Sequence, residues 1–170
     1  LKDIEAELLD FVHNGFKPGF QVGLENFDNI FSTYTSQFIT VTGIPSSGKS
    51  DFVDQMCIGY NKNYGWKTAY ASPENKPNFL HAHKLIKRKG IKCLVIDPFN
   101  KIRDVNCKTE DVNRYTMEYL TKIETFAKKY DVLVMVVAHP TKMYRDKEGK
   151  MEEPTMYSIK GGGEWYDASY

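Results

Sequence analysis

Apolar residues recur along the chain in two alternating rhythms, one that of helices and one that of buried strands. From Leu1 to Val12, Ile4, Leu8, Leu9 and Val12 fall on one stripe, with Asp3, Glu5, Glu7 and Asp10 elsewhere. That is the pattern of an amphipathic helix, and Asn14-Gly15 predicts its end. Residues 16–34 read as irregular chain with a short helical or turn element around Leu24–Ile30. The run from Gln37 to Thr42 is β-branched and aromatic, as a buried strand should be. Phe52, Val53, Met56, Cys57 and Tyr60 then return to helical spacing between Asp51 and Asn63, with Gly65 placed to end the helix. A second strand runs from Lys67 to Ser72, closed by Pro73-Glu74-Asn75, and a third from Ile91 to Asp97, ended by Pro98. Thr109 can cap a long helix to Tyr130, with Glu110 and Asp111 in its first turn and Lys128 and Lys129 in its last. Asp131 to Ala138 is almost continuously apolar, the composition of a strand buried on both faces.

Strands alternating with helices predict an α/β fold, a mainly parallel sheet flanked by helices with its sites at the strand C-termini. One interval is too short for that plan. Between Asn75 and Ile91 there is room for a single helix, Phe79 to Lys89, where a sheet of this type needs a further strand and helix. A segment missing near residues 80–90 is the expectation.

The decisive chemistry lies after the first strand. Gly43-Ile44-Pro45-Ser46-Ser47-Gly48-Lys49-Ser50 is a complete G-x-x-x-x-G-K-S phosphate loop in strand–loop–helix context, with Asp51 next in line. Its glycines let backbone N–H groups curl around phosphate oxygens, and the helix N-terminus adds a favourable dipole. Lys49 is placed to reach the β- and γ-phosphates and Ser50 to ligate Mg²⁺, so ATP or another nucleoside triphosphate is the expected cofactor. Cys93-Leu-Val-Ile-Asp97, four apolar residues and an acid, supplies a candidate second partner for that Mg²⁺.

Three further groups are open to two readings each. Glu74, directly after the second strand, is either a carboxylate that polarises the attacking water or a turn residue of Ser-Pro-Glu-Asn. His139 ends the most hydrophobic strand and either touches a γ-phosphate or is structural. Asn100, Lys101 and Arg103, and then Lys142, Arg145, Lys147 and Lys150, lie on two loops able to meet a polyanion, although Asp146, Glu148, Glu152 and Glu153 leave the second near neutrality. Lys160-Gly161-Gly162-Gly163 reads as a mobile Gly-rich hairpin or loop, close to a phosphate backbone or a plain connection.

Composition limits the partners. With 170 residues, 41% hydrophobic, the chain suits one globular domain with a real core. A formal net charge of +1 means that any nucleic-acid contact is a local patch rather than a global field. No apolar run approaches a membrane span and no signal-peptide pattern opens the chain. The three cysteines lack metal-ligand spacing; Cys57 and Cys93 fall on apolar faces and Cys107 in a polar loop, the usage of a reducing compartment.

Taken in order, these stretches resemble the ring-shaped replicative helicases of the DnaB and Twinkle group, closest to the primase–helicases of phages and mobile elements. The resemblance runs from the lead-in Gly15–Phe31 through the phosphate loop, Ser72–Asn75, Leu94–Asn100 and Val137–Lys142 to Pro154–Gly163. It implies a RecA-like core over residues 16–170, with residues 1–15 as a linker helix that docks on a neighbouring subunit. It implies Glu74 as catalytic carboxylate, Asp97 as the Mg²⁺-site acid, His139 as γ-phosphate sensor, and loops carrying Lys101, Arg103, Lys142, Arg145 and Lys160 toward single-stranded DNA. A hexamer, a primase or TOPRIM-type partner domain, and the cytoplasm of a bacterial cell or phage-infected host complete that picture. Against the family pattern the chain stops before the last strand and the arginine given in trans, so a helicase-domain fragment that hydrolyses nucleotide poorly is expected. A RecA-like recombinase or regulatory ring ATPase is the alternative; a small-molecule kinase would need an Arg-rich lid, and the four arginines are scattered.

Overall fold

The computed structural model describes residues 5, 8–9, 12–15, 18–71, 86–99, 112–140, 148–149, 153–159 and 162–168. Its centre is a four-stranded, wholly parallel sheet: β1 (Phe38–Val41), β2 (Lys67–Ala71), β3 (Ile91–Ile96) and β4 (Leu133–Val137), in the spatial order β1-β4-β3-β2. The parallel α/β expectation holds. Every residue of β4 is buried, because it lies inside the sheet with helices on both faces, and this accounts for its unbroken apolar sequence.

Helix α1 (Glu25–Asp28) belongs to the lead-in, α2 (Lys49–Tyr64) follows the phosphate loop, and α3 (Val112–Tyr130) precedes β4. One face of the sheet packs Leu94, Ile96, Val134 and Val136 against Leu120, Ile123 and Phe126 of α3, and Trp165 joins the same cluster. The other packs Cys93, Val95, Leu133, Met135 and Val137 against Val53, Met56, Cys57 and Tyr60 of α2. Gly65 ends α2 in the left-handed conformation (φ 67°), its N–H donating to the Asn61 carbonyl at 2.8 Å, as its place in the sequence predicts.

The lead-in is more ordered than irregular chain. The Asp28 carboxylate accepts from the N–H groups of Val22 (2.8 Å) and Gly23 (2.7 Å), and Thr33 shares a buried 2.7 Å hydrogen bond with the Tyr60 hydroxyl. Gly59 of α2 leaves room for this crossing, since a Cβ there would sit 2.0 Å from the Val22 carbonyl oxygen. At the sheet edge opposite the phosphate loop, Asp131 accepts from Ser36 (3.0 Å) and Lys92 (2.7 Å), clasping the starts of β1, β3 and β4. The Lys92 ammonium beside it holds the Asp131 carboxyl below its ordinary range, with Thr35 and Ser36 adding to the effect.

One expectation is corrected. Gly162 and Gly163 open a helix, α4 (Gly162–Ala168), after a short 3₁₀ turn (Met156–Ser158), rather than forming a mobile hairpin or loop. The reason is contact: a Cβ on Gly162 would lie 2.6 Å from the Tyr157 backbone, so glycine lets α4 seat against that turn and bury Trp165 completely. An antiparallel bridge, Pro140 to Ile159, ties this segment to the end of β4. Residues 86–89 are helical, as the end of the Phe79–Lys89 helix requires, and residues 12–14 are helical before Gly15 at φ 71°. Residues 80–85 of the stretch near 80–90 where a missing segment is expected, the Thr109 cap and residues 1–4 lie outside the described residues.

Candidate functional site

The phosphate loop forms because β1 must turn sharply into α2 between Thr42 and Lys49. Ser46 (φ 61°) and Gly48 (φ 80°) both take left-handed backbone, and the Ser47 N–H donates to the Ile44 carbonyl at 3.2 Å. No side chain caps α2, whose first intrahelical bond beyond the cap runs from Phe52 N–H to the Gly48 carbonyl at 2.8 Å. The first-turn N–H groups of a 16-residue helix therefore face the loop uncapped, which is the arrangement that binds an anion.

Lys49 is buried, 8% exposed, and folds back so that its Nζ donates to the carbonyls of Gly43 (3.0 Å) and Ile44 (2.7 Å). A cation held only by two neutral carbonyls is ready to exchange them for phosphate oxygens, since charge-assisted bonds are roughly twice as strong as neutral ones. Ser50 donates through Oγ to Asp97 Oδ2 at 2.7 Å, bringing together the two residues named from sequence as the Mg²⁺ pair. Both supply hard oxygen atoms. Mg²⁺ keeps several waters and takes phosphate oxygens, so one or two protein ligands suffice and the pair fits it. Among the described residues no group of three or more His, Cys, Asp or Glu could hold a metal.

Strand register sets the remaining geometry. Val41 pairs with Val137, Val136 with Ile96, and Ile96 with Ala71, so the strand tips finish level. Ala138 N–H reaches Val41 O at 3.0 Å and Asp97 N–H reaches Ala71 O at 3.3 Å. His139, half-buried, thus leaves the strand between the phosphate loop and Asp97. Thr42 Oγ1 is buried beside this tip without a hydrogen-bond partner. Glu74, Asn100, Lys101, Arg103, Lys142, Arg145 and Lys160 lie outside the described residues.

Sequence reasoning missed the support behind the loop. Phe27 of α1 packs edge-on to Phe52 at 5.3 Å, and the Tyr70 hydroxyl of β2 donates to Asp54, so both neighbours of α2 grip it near its start. The aromatic residues of the lead-in were the available signal.

No family model matches the chain. It is 27% identical over 208 residues to the Twinkle homolog protein, chloroplastic/mitochondrial, of Arabidopsis thaliana, a match that takes in 87% of this chain. Over most of its length the chain is similar to the DnaB/Twinkle group. It spans 29% of that relative's length, and the matched span of 208 residues exceeds this whole chain, so the relative carries residues with no counterpart here. Among solved structures, the KaiC-like protein PH0186 of Pyrococcus horikoshii OT3 superposes with a TM-score of 0.49 at 17% identity, over 62% of this chain and 63% of that one. No helix among the described residues is long and apolar enough to cross a membrane.

Proposed function

We propose that this Twinkle-like domain is the motor of an ATP-dependent DNA helicase that translocates on single-stranded DNA. The observation that carries the reading is the 2.7 Å contact between Ser50 and Asp97, which joins the phosphate loop to the acid strand across β4. In this reading the α2 N-terminus and Lys49 bind the triphosphate, and Ser50 and Asp97 would hold Mg²⁺, which would supply positive charge against that of the phosphates. Glu74 takes up the proton of the attacking water. His139 senses the γ-phosphate from the strand between the two half-sites and passes its presence to the loop that carries Lys142 and Arg145. That loop, Asn100–Arg103 and Lys160 contact the DNA backbone.

The N-terminal helix fits an exchanged linker between subunits of a hexamer. Its Leu8, Leu9 and Val12 are 58%, 54% and 74% exposed, an apolar stripe that the described part of the same chain leaves uncovered. Ring closure through repeated head-to-tail contacts would bury it, and an arginine from a neighbour would complete the nucleotide site. A primase or TOPRIM-type domain would act with the motor, in a bacterial or phage-infected cytoplasm. The residues that the relative has in excess are proposed to fall between Glu74 and Ile91.

The test is unwinding of a forked duplex by the full-length protein with ATP and Mg²⁺, beside its ATPase with and without single-stranded DNA. DNA-stimulated hydrolysis with strand separation is the expected result. DNA-stimulated hydrolysis without separation would favour a recombinase or regulatory ring, and hydrolysis indifferent to DNA would overturn the reading.

A further inference from the structure

Two exposed tyrosines belong neither to the nucleotide site nor to the core. Tyr157, in the 3₁₀ turn, and Tyr166, on α4, are 63% and 58% exposed. Their rings are stacked, with centroids 5.2 Å apart and planes inclined by 21°. Each ring covers one face of the other, so the exposure falls on the outer faces and the edges. Together they present to solvent an aromatic surface thicker and broader than either ring alone.

The pair is held from behind. Met156, next to Tyr157, packs on the α3 side of the core, and Trp165, next to Tyr166, is wholly buried in it. The Ser158 hydroxyl accepts from the Thr155 N–H at 3.1 Å and closes the turn. Gly162 lets α4 seat directly on the Tyr157 backbone. The fold therefore sets both tyrosines in place before anything binds, which lowers the ordering cost of a ligand that stacks on them.

Their place in the molecule narrows the choice of ligand. The Pro140–Ile159 bridge ties the turn to the strand tip that carries His139. Trp165 meets Phe99 edge-on at 4.8 Å, two residues beyond Asp97. The tyrosines thus stand at the C-terminal end of the sheet, the end that carries the phosphate loop. Glu153, shortly before Tyr157, and Asp167, next to Tyr166, are both exposed and acidic, so this surface does not attract phosphate. What it offers is a flat, uncharged π-face, the partner of another flat ring.

We propose that Tyr157 and Tyr166 form a stacking platform for a base of single-stranded DNA. The inference rests on the motor reading above and adds a contact of another kind: the basic loops hold the backbone, and the tyrosines hold a base. A base laid on the outer face of either ring extends the existing stack. Every base has a π-face, so such a grip tolerates any sequence, as a motor that moves along DNA requires.

The experiment uses the full-length protein with Mg²⁺, a non-hydrolysable ATP analogue and a fluorescein-labelled oligothymidylate, followed by anisotropy. Tyr157→Ala or Tyr166→Ala should weaken binding by roughly 5- to 150-fold, the range for losing one base–aromatic stack. The salt dependence should keep its slope, because no phosphate contact is lost. Tyr157→Phe and Tyr166→Phe keep the ring and should bind as the parent does. On an abasic strand of the same length the parent should bind more weakly, and its advantage over the alanine variants should vanish. A second measurement needs no variant: 5-iodouracil placed along the strand and irradiated should cross-link to Tyr157 or Tyr166 of the parent. Cross-links found only elsewhere would overturn the platform and leave the motor reading standing. So would an alanine loss that persists undiminished on the abasic strand, since the tyrosines would then be structural. A parent that does not bind single-stranded DNA at all would overturn both.

Discussion

Replacing Gly59 by alanine sets two effects of opposite sign against each other. In a helix interior alanine is favoured over glycine by about 1 kcal/mol, so an exposed site would gain. At Gly59 the new Cβ would lie 2.0 Å from the Val22 carbonyl oxygen and within 3 Å of Val22 C and Cα. Those are backbone atoms, and they cannot rotate away. Val22 is itself 5% exposed, and its N–H is fixed on Asp28 at 2.8 Å, so the lead-in cannot yield without losing that bond. Overpacking of this kind costs typically 1–3 kcal/mol, and a backbone clash belongs at the upper end. The net expectation is a loss of about 2 kcal/mol, or roughly 4–8 °C in Tm for a domain of this length. Urea denaturation followed by tryptophan fluorescence measures it. Gly163→Ala is the control, because nothing lies within 4 Å of that Cβ, and it should gain a few tenths to about 1 kcal/mol. A Gly59→Ala protein as stable as the parent would show that the crossing of the lead-in over α2 is not the close contact described.

Lys49→Ala removes the loop's cation and should raise the Kd for an ATP analogue by roughly 10- to 150-fold, the range for a hydrogen bond to a charged group; calorimetry showing unchanged affinity would refute the site. Glu74→Gln should leave that Kd alone while abolishing DNA-stimulated turnover, and near-normal hydrolysis would make Glu74 a turn residue. Leu8→Asp with Leu9→Asp should give monomers that still bind nucleotide, whereas rings persisting in light scattering would remove the linker role. Asp131 has a folded pKa below its unfolded value of about 3.8, so its contribution is present above that value and lost as pH falls through the lower one. Asp131→Asn, which tolerates the left-handed backbone there (φ 49°), should therefore flatten the acid limb of stability measured by urea melts below about pH 4.

The parts of the site that are local in sequence were legible there. The phosphate loop is eight consecutive residues whose conformation the glycines dictate, and Asp97 stands at the end of an apolar run, so both could be named and both meet through Ser50. Strand order was not legible, because a parallel pair such as Val41 with Val137 is specified by tertiary packing and leaves no adjacent signal. Helix α4 was missed for a different reason. Three glycines in a row weaken a helix locally, and only the 2.6 Å that would separate a Cβ on Gly162 from the Tyr157 backbone shows why one of them opens it. The buried Trp165 beyond them was the clue that the segment packs.

The position of β4 between β1 and β3 also fixes the order in which a growing chain can become competent. Phe38 finds its sheet partner in Val134, so β1 emerges long before the strand that will hold it. At roughly 5–20 residues per second of synthesis, that interval lasts on the order of 5–20 s. Nucleotide cannot help the nascent chain during this time, because the cradle needs β1 seated and Asp97 level with it. A ribosome halted before Val134 would carry the entire phosphate-loop sequence and no phosphate site.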